Sequence, residues 1–311
     1  MEYGEFLTCV KRRLEEAMPQ ARVELHHIMK NNQVTWDGVT ILPEGETISP
    51  TVYLNEFYGR YRAGMSMEEI VRRILAEYQE NCCQPGFDVS RLKEFAYLKD
   101  RIVFKLINYE ENRELLEEMP HRRVLDLAMV FYFMLEDEAL GLVTALIFNS
   151  HLKVWKVDEE TLYQTARENT PRLLNWELQS MDSLLDEMIL QDMREEFESE
   201  EAFEEFCGIT LGRDKRSASP MYVLTNKERF NGAGCMLYQD VLDRFAREHN
   251  SDIYVLPSSI HEVILIPCVS SPGREDLCDM VREINSTEVA ATDRLSDHVY
   301  CYSLSEGILK L

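Results

Sequence analysis

The chain has 311 residues, 45% hydrophobic and 29% charged, with 56 acidic against 33 basic side chains and a formal net charge of −23. That length exceeds one ordinary core, so two domains, or one large domain with a satellite, are expected. The acid excess argues against nucleic acid as a direct ligand, which needs clustered Lys and Arg, and no apolar run reaches the roughly 18 residues of a membrane span.

Residues 2–18 read as an opening helix, with Phe6, Val10, Leu14 and Met18 at four-residue spacing and Pro19 as the stop. Its charges are dispersed through an amphipathic pattern, unlike a secretory signal, so the expectation is a cytoplasmic protein. Residues 21–29 and 34–42 flank the turn-rich Lys30-Asn31-Asn32-Gln33 and predict a hairpin. Residues 51–58 are a third strand or the start of a helix, and Val52, Tyr53, Phe57 and Tyr58 favour the strand. Ser66 and Glu69 form a capping box for a helix whose buried stripe is Ile70, Val71, Ile74, Leu75 and Tyr78. After a loop at 82–86, residues 90–107 resume a helical pattern through Leu92, Phe95, Leu98, Ile102 and Leu106.

Residues 123–135 and 140–157 are two β-rich runs joined by an acidic turn, which suggests a buried antiparallel pair at the centre of the chain. Asp158 caps the next helix, with Leu162 and Ala166 facing inward. From 174 to 206 the pattern is polar helix, and the polar, Pro-terminated stretch 207–218 is the best candidate linker. Beyond it, 222–224 and 233–237 read as strands about the turn Asn231-Gly232. An amphipathic helix at 239–249 buries Val241, Leu242, Phe245 and Ala246. Strands at 253–256 and 262–266, a helix at 274–285 and a closing strand at 299–304 complete the pattern. The prediction is an α+β protein of antiparallel sheets with covering helices. Its N-terminal and central region is 1–206 and its C-terminal β-β-α-β-β-α-β domain is 219–311.

Candidate chemistry is sparse. Ser258, Ser259, His261 and Glu262 place two hydroxyls, an imidazole and a carboxylate within five residues of one turn, a conceivable nucleophile and base. The competing reading is a turn whose hydroxyls satisfy backbone groups, and no G-x-S-x-G elbow is present. His26-His27 would point to opposite faces of a strand, and no metal motif occurs, so no metal and no cofactor is expected. The eight cysteines include no CxxC and read as reduced, mostly buried thiols.

Residues 158–206 carry 16 Asp and Glu against 3 Lys and Arg, more than half of the excess charge. Glu195, Glu196, Glu200, Glu201, Glu204 and Glu205 form either a solvated helical face or an acidic surface for a basic protein partner. The leading expectation is a non-enzymatic binding or regulatory protein acting through protein contact. The alternative is a hydrolase using Ser258 or Ser259 with His261. The sequence does not fix the oligomeric state.

The string 221–226 (MYVLTN), then Asn231-Gly232-Ala233, Met236-Leu237-Tyr238 and 256–267 (LPSSIHEVILIP), resembles a bacterial family known as domain of unknown function 5688. The likeness extends over nearly the whole chain. The layout of the 158–171 helix followed by the 221–267 unit is also similar, more distantly, to domain of unknown function 1444. The resemblance implies a bacterial, cytoplasmic protein and carries over no catalytic residue.

Overall fold

In the computed structural model, which describes residues 1–44, 49–81, 89–137, 141–194 and 220–311, the amphipathic opening segment is helix α1 (Tyr3–Ala17). Its four-residue spacing packs Phe6, Val10 and Leu14 with Val39 and Ile41 of the antiparallel hairpin β1 (Ala21–Met29) and β2 (Thr35–Pro43). Strand β3 (Thr51–Tyr53) adds to β2, and helices α2 (Asn55–Arg62) and α3 (Met67–Glu80) join the same core. Ser66 accepts the Glu69 N–H at 3.2 Å, which fixes the start of α3. The strand expected over 51–58 stops at Tyr53. Phe57 and Tyr58 sit in α2, where Tyr58 and Tyr61 meet Phe6 with ring centroids 5.2 and 5.5 Å away.

The helix expected over 90–107 is broken. Short helix α4 (Phe95–Leu98) gives way to strand β4 (Ile102–Asn108). Ile102 and Leu106 stand four apart on a strand as well as on a helix, and Phe104 between them completes a row of alternate residues facing the main core. After helix α5 (Arg113–Glu117), β5 (His121–Val124) and β6 (Leu127–Asp137) form a hairpin. β6 also pairs with β4 and with β7 (Gly141–Leu146), all antiparallel. The expected β-run 140–157 ends at Leu146, and residues 149–155 form helix α6 (Asn149–Trp155). Helix α7 (Glu159–Leu173), capped by Asp158 at 2.8 Å from the Thr161 N–H, lies against the open edge of β4. Thr170 Oγ1 accepts the Phe104 N–H at 3.0 Å, and the Asn169 amide donates to the Ile102 carbonyl at 3.0 Å. Side chains from a helix thereby replace the missing strand neighbour at this edge.

Residues 174–194, expected as helix, contain strand β8 (Trp176–Ser180) before helix α8 (Met181–Arg194). β8 is the edge strand of a six-stranded antiparallel sheet that runs on through β9 (Tyr222–Asn226), β11 (Val263–Pro267), β10 (Ile253–Pro257), β12 (Tyr300–Ser303) and β13 (Ile308–Lys310). One sheet therefore takes strands from both sides of the linker stretch 207–218, which lies outside the described residues. The second strand expected in the C-terminal unit, 233–237, is a 3-10 helix at residues 232–237. Small residues buried on every side carry no alternation to hold a strand, and Gly234 lets the Phe104 ring lie 3.1 Å from where a Cβ would stand.

Helix α9 (Val241–His249) buries Val241, Leu242, Phe245 and Ala246 as its spacing predicts. α10 (Arg274–Thr287) covers the other face of the sheet with Leu277 and Val281. One apolar core runs from Phe104, Phe131 and Leu162 to Val255, Leu265 and Tyr300, so the central and C-terminal sheets share an interior. The architecture is the expected α+β arrangement of antiparallel sheets and covering helices. Among the described residues no helix is long and apolar enough to cross a membrane.

Candidate functional site

The turn between β10 and β11 brings Ser258, Ser259, His261 and Glu262 together without joining hydroxyl to imidazole. Ser258 Oγ donates to Glu262 Oε1 at 3.3 Å, and Ser259 Oγ accepts the His261 N–H at 3.0 Å. His261 Nδ1 accepts the Asn231 N–H at 3.2 Å, and its carbonyl accepts the Thr225 hydroxyl at 2.8 Å. Every one of these contacts serves the turn or the 3-10 helix beneath it. Glu195, Glu196, Glu200, Glu201, Glu204 and Glu205 lie outside the described residues, as do Cys82 and Cys83.

His26 and His27 do point apart. His26 Nε2 contacts Thr40 Oγ1 at 2.9 Å, while His27 Nδ1 pairs with Asp37. Among the described residues no group of three or more His, Cys, Asp or Glu side chains is placed to hold a metal ion. Cys9, Cys235, Cys268, Cys278 and Cys301 are free thiols, and burial pushes Cys235 up to about 12.

A different constellation organises the seam of the molecule. Asp126 occupies the two-residue turn between β5 and β6, next to Leu125, whose φ of 58° lies in the left-handed region that a bulky side chain rarely adopts. Its carboxylate accepts the Ser296 hydroxyl at 2.6 Å, His298 Nδ1 at 3.0 Å and the Tyr300 hydroxyl at 2.8 Å. The three donors stand at i, i+2 and i+4, the spacing that puts side chains on one side of an extended segment. Ser296 and Tyr300 are buried, whereas His298 is exposed.

Asp126, Ser296 and His298 line one wall of a cleft of about 430 Å³ whose other walls include Glu110, Glu111, Arg282, Arg294 and Asp297. Its frame is made of asparagines. Asn32, from the β1–β2 turn, donates to the carbonyls of Ala291 and Arg294 at 2.8 Å each, and its N–H is accepted by Asn112 Oδ1 at 2.8 Å. Asn108, at the end of β4, donates to the Leu295 carbonyl at 3.0 Å, and Asn285 holds the Ser296 carbonyl and Asp297 at 3.0 and 2.8 Å. The cleft thus lies where all three sheets of the described residues are tied together.

Asp126, His298 and Ser296 have the residue types of a hydrolytic triad but not its wiring. A triad uses one imidazole nitrogen for the carboxylate and the other for the hydroxyl. Here both Asp126 and Ser296 (3.4 Å) meet Nδ1, the serine proton goes to Asp126, and Nε2 has no partner among the described residues. The arrangement suits holding a fixed imidazole at a binding surface better than activating a serine. Reading 123–135 as one continuous strand hid the turn that carries Asp126. A carboxylate interrupting an apolar run, and the alternation Ser296-x-His298-x-Tyr300, were the available signals.

Fold and site together define an α+β protein with a polar, acid-rich cleft on the seam of its sheets. The chain belongs to the family of unknown function DUF5688, whose profile matches residues 3–304. No curated protein and no solved structure matches it.

Proposed function

We propose that this is a non-enzymatic, bacterial, cytoplasmic binding or regulatory protein whose partner is a basic protein. The observation that carries the reading is the cleft, where four carboxylates, those of Glu110, Glu111, Asp126 and Asp297, stand against two arginines, Arg282 and Arg294. The surrounding charge agrees in sign, since residues 158–206 concentrate a net −13. Such a field steers a cationic partner towards the surface, and the exposed imidazole of His298 offers a fixed hydrogen-bonding group where it lands.

The test is capture of partners from the native host, followed by binding of the isolated partner at rising ionic strength. Affinity should fall as salt screens the exposed charges, and it should fall again when Glu111 and Glu195, Glu196, Glu200 and Glu201 are changed to Lys. Binding that ignores both salt and charge reversal rules this reading out. The alternative, a hydrolase using Ser258 or Ser259 with His261, draws support from their meeting in one half-buried turn. Labelling of either serine by a fluorophosphonate, lost in a His261→Ala variant, would favour it.

A further inference from the structure

The cleft on the seam holds polar groups of both kinds, and the fold has engaged them unequally. Its two cations are held. Arg282 Nη1 donates to Asp279 at 3.1 Å, and Arg294 Nε donates to the Val289 carbonyl at 3.2 Å. Two of its carboxylates are held as well, Glu110 by Arg113 and Arg123 and Asp126 by its three donors. Three acceptors on the lining are left over.

The first belongs to a buried residue. Asn285, on α10, is 3% exposed, and its amide commits both hydrogens, one to the Ser296 carbonyl at 3.0 Å and one to Asp297 Oδ1 at 2.8 Å. Two acceptors on the nitrogen fix which way the amide points. Its Oδ1 receives no hydrogen bond among the described residues and keeps accessible surface, so it opens onto the cleft that the residue lines. The second acceptor is His298 Nε2. The Asp126 carboxylate takes the hydrogen on Nδ1, which leaves the lone pair of the neutral imidazole on Nε2. The third is Glu111. Asn108 Oδ1 accepts its backbone N–H at 2.9 Å, while its carboxylate has no ion pair or hydrogen bond among the described residues.

Acceptors without donors call for a ligand made of donors, and a carboxylate among them calls for positive charge. A guanidinium carries five N–H groups in one plane and no acceptor, so it can serve several such groups at once, whereas an ammonium is a compact charge with three. We propose that this cleft is a guanidinium pocket, which takes an arginine side chain of the protein partner against Glu111, Asn285 Oδ1 and His298 Nε2. The proposal rests on the reading of the cleft as a surface for a basic protein, and it narrows that reading from net charge to one side chain. A volume of about 430 Å³ admits the guanidinium with its aliphatic stem, for which Ala291 and Leu295 supply apolar wall.

The experiment titrates the full chain, by saturation-transfer NMR at physiological salt, with acetyl-Gly-Arg-Gly-amide, its lysine and citrulline counterparts, and free L-arginine. The arginine peptide should bind at least about tenfold more tightly than the lysine peptide or the uncharged citrulline peptide. Its affinity should fall at least about fivefold in Glu111→Gln and stay unchanged in Glu16→Gln, which neutralises an exposed carboxylate on α1. Equal binding of the lysine or citrulline peptide overturns the proposal, and so does undiminished binding in Glu111→Gln or an equal loss in Glu16→Gln. Free L-arginine binding more tightly than the peptide overturns the assignment to a protein side chain. The ranking of probes on the wild-type protein needs no variant to fold. A flat ranking removes the pocket alone, whereas a captured partner that ignores salt and charge reversal removes the reading on which the pocket stands.

Discussion

Asp126 and His298 stand 172 residues apart in the chain and 3.0 Å apart in the structure. Their contact ties the turn of the central hairpin to the segment that leads into β12 of the C-terminal sheet. The same carboxylate takes the hydroxyls of Ser296 and Tyr300, so one acidic side chain in a strained turn anchors three donors. Hydrogen bonds to an ionised group in a partly buried setting are the strong ones, and leaving their donors unpaired is costly.

Asp126→Ala strands the Ser296 and Tyr300 hydroxyls, and it should lower unfolding free energy by about 2–4 kcal/mol in urea titration. Tyr300→Phe removes one donor and leaves the carboxylate with two, so it should lose about 1 kcal/mol. The losses should not add in the double variant, since both changes delete the same bond. Full additivity would mean that the hub does not hold the two sheets.

Gly232→Ala tests the packing under the 258–262 turn. A Cβ there would stand 2.2 Å from Thr225 Oγ1, 2.4 Å from the His261 carbonyl oxygen and 2.8 Å from the Asn226 nitrogen. Two of the three are backbone atoms that cannot swing aside, so a loss of at least about 2 kcal/mol is expected. Gly59→Ala is the control. It lies within α2 with nothing near its missing Cβ, and it should gain about 0.5–1 kcal/mol from helix propensity. Equal effects at the two sites in thermal melts would contradict the close approach at Gly232.

Ser66→Ala should cost about 1 kcal/mol, because Ser66 supplies the acceptor for the Glu69 N–H at the start of α3. Ser66→Asp restores an acceptor and should recover most of the loss. Failure of that rescue would show that the serine acts through something other than the cap.

The sequence made this cap legible, along with α1, the β1–β2 hairpin, α9, the β10–β11 pair and α10, because each has a single strong period and local stop signals. It was silent or misleading where tertiary contacts decide. Residues 102–108 are apolar on both faces, so i+4 spacing mimics a helix until Thr170 and Asn169 appear as edge partners. Trp176–Ser180 has polar alternate residues and becomes a strand only because β9 lies beside it. The Asp126 hub joins segments that no local window contains. The 258–262 turn stands out in the sequence because its residues are close together, and there both serine hydroxyls and His261 Nδ1 hold local hydrogen bonds.

Lys105 gives the prediction with the clearest sign. It titrates at about 8 in the folded chain and at 10.5 when unfolded, so between those values the unfolded state binds more protons and stability contributed by this group rises with pH. Below pH 8 the native state bears the whole cost of a desolvated ammonium, and above about 10.5 none of it. Lys105→Met keeps the aliphatic stem and removes the charge. It should be more stable than the wild type by roughly 2 kcal/mol at pH 7, allowing for partial exposure. That gap should close progressively between pH 8 and 10.5. Tyrosines and the remaining lysines titrate in both proteins and largely cancel in the difference, although Lys30 also loses a like-charged neighbour and Asp293 a counter-charge. Urea unfolding of the two proteins at four pH values measures the gap, and a difference that stays constant or widens towards pH 10.5 would be incompatible with a depressed Lys105.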